Sequence, residues 1–258
     1  MTLSETEATT LLQIVNHIIV QHPILAPTVE QLSQNVIYRR GDLGANQFFG
    51  MNNLDQRLEK YLNYDNGYFI ELGANDGVSQ SNTLYFEKNR NWRGILIEPT
   101  PHNYLLCLKN RSPENQFFCN ACVSDDYTEK FVEILFSNLM STPVGVESDI
   151  PDTAGHAQFG AQFLKPHERV FSYGAVATTL NKILDQSNAP KTIDFLSLDV
   201  EGAEIEVLKG VNHDKYRFKH LLVECRNIEK LQAYLETKGY QFLEAMSGHD
   251  FLFSNRTI

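Results

Sequence analysis

From Gly67 onward, short apolar runs alternate with runs of helical spacing. GYFIEL, RGILIEP, QFFCNACVS, EKFVEILFS, TIDFLSLDV and HLLVEC read as strands. NTLYFEKNRN, PHNYLLCLKNR, TTLNKILDQ, GAEIEVLKG and IEKLQAYLETKGY read as helices. This alternation predicts a parallel sheet covered by helices on both faces. Thr178 or Thr179 caps the third of these helices, and Gly210 stops the fourth. QFLEA and DFLFSN predict a closing antiparallel pair.

Two stretches fall outside the alternation. Residues 1–62 read as a helical extension: apolar positions at helical spacing over 8–20, a break at HPILAP, then VEQLSQNVIYRR and NLDQRLEKYLNY. Residues 138–170 carry Pro143, Pro151 and Pro166 with no clear period. That is long for a connection and predicts a lid or insertion within a main domain spanning 63–258.

The 258-residue chain carries a net charge of −10, which argues against a nucleic-acid partner, because phosphates call for a basic face. Its first residues are acidic and polar, unlike a secretory signal. The most apolar early run, LLQIVNHIIV, is broken by Gln13, Asn16 and His17 and is shorter than the about 20 residues of a membrane span. The expectation is a soluble, cytoplasmic protein. Cys119 and Cys122 have the CxxC spacing, but no second pair or nearby histidine completes a metal site. With Cys107 and Cys225 they read as reduced, buried thiols.

The stretch FIELGANDGVSQSNT ends a strand in an acid and opens into a small, polar loop. In an open α/β sheet, ligands bind at the carboxyl ends of the strands. Gly73 and Gly77 permit a ligand to approach the backbone, so a side chain at Gly73 is expected to abolish binding and leave the fold largely intact. The spacing is neither the G-x-G-x-x-G of dinucleotide binders nor a Walker loop. Glu98 ends the next strand, 21 residues after Gly77, near the offset at which an acid accepts both ribose hydroxyls. Together these features predict a nucleoside-like ligand without a phosphorylated tail; S-adenosylmethionine fits.

IDFLSLDVEGAEIEVLKG places Asp199 and Glu201 two apart at another strand end, aimed the same way. Glu204 and Glu206 follow in the first turns of a helix, where the helix dipole favours acids.

FIELGANDGVSQSNT, WRGILIEPTPHNY, NACVSDD, TTLNKIL and IDFLSLDVEGAEIEVLKG, in this order, resemble the FkbM family of S-adenosylmethionine-dependent methyltransferases. The resemblance spans about 67–255. It implies a Rossmann-like class I methyltransferase fold, α/β with a seven-stranded, mostly parallel sheet whose last strand is antiparallel. It implies O-methylation of a sugar, glycan or natural-product hydroxyl. Glu71, Gly73, Asn75 and Gly77 would then surround the methionine end of the cofactor, and Glu98 would hold the ribose. Ser124 and Asp125 would flank the adenine. Asp199, Glu201 and Glu204 would face the methyl group and the acceptor.

An alcohol acceptor benefits from a base. Asp199 or Glu201 is the first candidate; His156, His167 or His213 could replace them. Asp199, Glu201 and Glu224 also offer hard oxygens to a divalent metal such as Mg²⁺, although a metal-free site is favoured. The competing readings are a non-catalytic module that binds the cofactor and an NAD-dependent oxidoreductase. Intact acids argue against the first, and the absent G-x-G-x-x-G against the second.

Overall fold

The computed structural model describes residues 47–256. The helices expected over 8–20 and 29–40 lie outside the described residues. The last piece of the N-terminal stretch forms a short helix, α1 (Leu54–Leu58).

The first strands are β1 (Tyr68–Leu72), β2 (Arg93–Ile97) and β3 (Gln116–Phe118). Helices α2 (Leu84–Arg90) and α3 (Pro101–Asn110) connect them. Later come β8 (Thr192–Leu198), α6 (Glu204–Lys209), β9 (Arg217–Glu224), α7 (Ile228–Thr237), β10 (Tyr240–Ala245) and β11 (Asp250–Asn255). Among the described residues these make a seven-stranded sheet in the order β10-β11-β9-β8-β1-β2-β3. All pairings are parallel except those of β11, which runs antiparallel to β9 and to β10. This is the Rossmann-like, mostly parallel sheet that the alternation and the resemblance predict.

The pleat sorts β1 between two cores. Ile70 and Leu72 join Ile95, Ile97, Leu196 and Leu198 in one cluster, which α6, α7 and α5 (Leu180–Gln186) cover. Phe69 faces the other way, into a cluster with Leu96, Phe195, Leu58, Phe86 and Trp92. The alternation places Glu71 on the Phe69 side, beneath α3. The expected cap of α5 is there: Thr179 accepts a bond from the Lys182 N–H at 3.2 Å.

A second sheet departs from the sequence reading. It comprises β4 (Ala121–Cys122), β5 (Phe131–Phe136), β6 (Thr142–Val144) and β7 (Phe171–Thr178), in the order β4-β7-β5-β6. QFFCNACVS, expected as one strand, is therefore two: its first half closes the main sheet and its second half pairs with β7. The 138–170 stretch holds β6 and a helix, α4 (Thr153–Gly160), capped by Asp152, which accepts from the Gly155 N–H at 2.9 Å. The small core of this sheet is Ala121, Val123, Val132, Ile134 and Ala175. No helix among the described residues is long and apolar enough to cross a membrane.

Candidate active site

The carboxyl ends of β1, β2 and β8 open into a cleft of about 430 Å³. That volume suits a small-molecule site. One wall is the glycine loop. The opposite wall comes from the 138–163 stretch, through residues such as Asn138, Met140, Phe159 and Phe163.

Glu98 follows β2 and lines the cleft. The backbone N–H groups of Asn75 (2.9 Å) and Thr100 (2.8 Å) each hold one of its oxygens. Burial raises its pKa, and those hydrogen bonds oppose the rise. The Thr100 side chain bonds the carboxylate as well, and the group is fixed in aim without its acceptor positions being exhausted.

The glycine loop has a different internal logic from the one its sequence suggests. Gly73 has φ 78°, and a Cβ there would lie 1.9 Å from the Asp199 carbonyl oxygen. Its missing side chain admits the neighbouring strand end. Gly77 does not line the cleft; a Cβ there would meet Arg111 and Cys107 of the α3 region. Asn75 does line the cleft, with φ 46°.

Glu71 lies at the cleft, but its carboxylate is committed to the loop. Ser81 Oγ, Thr83 Oγ1 and the Asn82 N–H all donate to it. Arg111, at the end of α3, completes the set with Nη1 2.9 Å from Oε2. The same guanidinium bonds Glu87 at 2.8 Å and is wholly buried. This ion pair is invisible in the sequence, because its members lie 40 positions apart.

Three acids converge at the floor. Asp199, Glu201 and Glu224 each offer an oxygen, and these oxygens lie within 4.8 Å of one another. The set could hold a divalent metal. Burial, then the charges of Glu224 and Glu201, raises the Asp199 pKa well above the carboxylate range. Burial, then Glu201, raises that of Glu224. The Asp199–Glu224 pair thus holds a proton more readily than isolated acids do. Arg226, two residues beyond Glu224, counters the charge: its Nη2 lies 2.8 Å from Glu201 and 3.4 Å from Glu224. It lines the cleft and was not anticipated, although a cation two residues after a strand-end acid was the available signal.

Other candidates fall elsewhere. Glu204 does not line this cleft; it accepts from the N–H groups of Val200 (3.1 Å) and Gly202 (3.0 Å), and burial lifts its pKa to about 8. It organises the turn that presents Asp199 and Glu201. Ser124 and Asp125 stand outside the cleft as well; its wall there is Asn120 to Val123. Ser124 instead bonds Glu206 at 2.6 Å. His213 is buried near Phe218, Tyr234 and Tyr240, and burial lowers its pKa to about 4. His167 lies by a separate depression with His102 and Glu168. His156 reaches Glu201, with Nε2 2.9 Å from Oε2. All four cysteines are free. Burial pushes the Cys122 and Cys225 thiols up to about 12, which leaves them inert as nucleophiles.

Two solved structures are similar to the chain. Methyltransferase FkbM from Methylobacillus flagellatus KT is 13% identical with a TM-score of 0.42, over 89% of this chain and 60% of that one. TrmK from M. capricolum, in complex with its natural cofactor product S-adenosyl-homocysteine, is 10% identical with a TM-score of 0.41, over 79% of this chain and 67% of that one. Curated protein sequences give no match. The family profile described as Methyltransferase FkbM domain matches residues 71–247, a span running from the Glu71 hub through the glycine loop and the floor acids to the hairpin before β11. The chain is therefore a member of the FkbM methyltransferase family, an S-adenosylmethionine-dependent methyltransferase.

Proposed function

We propose that the protein methylates a hydroxyl oxygen of a small molecule or glycan. The observation that carries this reading is the convergence of Asp199, Glu201 and Glu224 at the floor of a cleft that also contains Glu98. A hydroxyl is a weak nucleophile, and the Asp199–Glu224 pair, whose pKa values are raised, is suited to take its proton near neutral pH. The net charge of −10 supports a small acceptor over a nucleic acid.

The residues present fit the cofactor. Asn82 Oδ1 and Asp199 Oδ1 are buried acceptors without a donor, and both residues line the cleft. The Asn82 amide is oriented by its Nδ2, which donates to Ser197 Oγ at 3.2 Å. A methionine ammonium would supply the missing donors, and Glu98 would accept from the ribose hydroxyls. When bound, the cofactor supplies a methyl carbon activated by a sulfonium for in-line displacement.

The chain's own groups do the rest. Glu98 and the glycine loop orient the donor, so that alignment supplies most of the acceleration. Phe159 and Phe163 give the cleft wall exposed apolar surface against which an acceptor can pack. Glu201, held by Arg226, accepts a hydrogen bond from the acceptor. Asp199 takes the hydroxyl proton while the proton it shares passes to Glu224, which keeps one negative charge delocalised over the pair before transfer and none after it.

The test is formation of S-adenosyl-homocysteine with a panel of hydroxyl-bearing metabolites and glycans, and mass spectrometry of the products for one added methyl. Asp199→Asn and Glu201→Gln should each lower turnover by about 10²-fold or more; cofactor affinity should change little in Glu201→Gln and weaken in Asp199→Asn, which loses the charge facing the ammonium. Insensitivity to EDTA supports proton transfer by the acids alone. Inactivation by EDTA and recovery with Mg²⁺ would make the same three acids metal ligands. Full activity in both variants would remove the acids from the reaction.

A further inference from the structure

Glu201 adopts φ 53°, a left-handed conformation that strains any residue with a side chain. Residues 142–156 hold it there. Thr142 Oγ1 donates to the Glu201 carbonyl at 2.8 Å. The Asp149 N–H donates to the Gly202 carbonyl at 2.9 Å. A Cβ on Gly202 would lie 2.4 Å from Ser148 Oγ, so the segment presses directly on the turn.

The same segment delivers His156 from α4. Its Nε2 lies 2.9 Å from Glu201 Oε2, and its side chain is only 10% exposed. The contact is off the line that a hydrogen bond requires, which leaves Nε2 a buried nitrogen without an aligned partner. Arg226 bonds the same oxygen from the other side. The position of α4 is itself fixed: Ser137 Oγ donates to the Ala157 carbonyl at 2.6 Å, and Gly160 packs against Ser137 and Met140. His156 does not line the cleft, so it reaches the acceptor only through Glu201.

We infer that His156 is a positioning residue: it aims the Glu201 carboxylate and ties that aim to the seating of residues 142–156 against the 199–203 turn. This rests on the reading of Glu201 as part of the reacting site. The acid is then correctly presented only when α4 is in place, and the wall of the cleft and the aim of its floor are set together.

Hydrogen exchange tests the coupling without an acceptor. His156→Ala should speed exchange of the 199–203 amides by roughly tenfold, a local opening that leaves the melting temperature of the domain near wild type. His156→Gln can donate to the same carboxylate and should restore slow exchange. Unchanged exchange in a folded His156→Ala protein would overturn the inference. So would equal acceleration in both variants, which would reduce His156 to a filler of space. If His156→Ala fails to fold, the reciprocal change decides: Glu201→Gln should shift the His156 imidazole nitrogen resonances, and unmoved resonances would overturn the inference. With an acceptor in hand, kcat should fall in the alanine variant and recover in the glutamine variant, with KM for S-adenosylmethionine unchanged. If no hydroxyl acceptor is found, the O-methylation reading fails alone and the exchange result still decides the coupling.

Discussion

The carbonyl oxygen of Asp199 occupies the place where Gly73 would carry its side chain: an added Cβ would lie 1.9 Å from that oxygen. The Asp199 N–H also bonds the Leu72 carbonyl at 3.3 Å. The loops after β1 and β8 are thus locked by backbone alone, and the first acid of the floor is positioned by the glycine loop.

Gly73→Ala should therefore do more than obstruct a ligand. The substitution forces either strand end to move, at a cost of about 1–3 kcal/mol, and displaces Asp199. Urea melts should show the loss of stability and calorimetry the loss of cofactor affinity. A variant with wild-type stability and no binding would return Gly73 to the simpler role its sequence suggests.

Arg111 should be among the most sensitive positions of the fold. Its fully buried guanidinium bonds both Glu71 and Glu87. Arg111→Met leaves two buried carboxylates uncompensated, at about 3–5 kcal/mol. The double variant Arg111→Met with Glu71→Gln should recover part of that loss, because one orphaned charge is gone. Denaturant midpoints of the two proteins give the comparison.

Glu98→Ala removes a carboxylate fixed by two backbone N–H groups at the cleft. Cofactor binding should weaken by about 1.5–3 kcal/mol per lost charge-assisted bond. Glu98→Gln should fall between the alanine variant and wild type. Calorimetric titration with S-adenosyl-homocysteine measures both, and unchanged affinity would separate Glu98 from the ribose.

Glu204 gives the turn a pH dependence. Burial raises its folded pKa from 4.5 to about 8. The folded state therefore keeps a proton that the unfolded state loses between those values. The resulting stability is full below about pH 4.5 and declines as pH rises toward 8. Asp199 and Glu224, both raised by burial, act in the same direction. Glu204→Gln keeps an acceptor for the Val200 and Gly202 N–H groups, so its melting temperature should decline less between pH 5 and 8. Parallel pH profiles for the two proteins would contradict this.

The main sheet was legible because its strands, buried on both faces, are continuous apolar runs such as GILI and LLV. The floor acids were legible for a related reason: a charge that ends such a run stands out. Of the second sheet only β5 was, from the alternation in EKFVEILFS. In β7 a single residue, Ala175, is fully buried, so FSYGAVAT carries no clean alternation. Arg111 and Arg226 look like ordinary surface cations in the sequence, and only the fold brings them to their acids. Ser124 lies just outside the cleft, because the break between β3 and β4 places the wall at Asn120–Val123.

The position of β11 sets an order of events as the sheet assembles. It lies between β9 and β10 in the sheet but follows both in the chain. Until β11 inserts, β9 has an open edge along the strand that carries Glu224. That edge closes only when residues 250–255 insert, pairing Asp250 with Glu224 and Phe253 with Leu221. A chain stopped just short of Asp250 would hold every floor acid and still lack the strand that braces one of them.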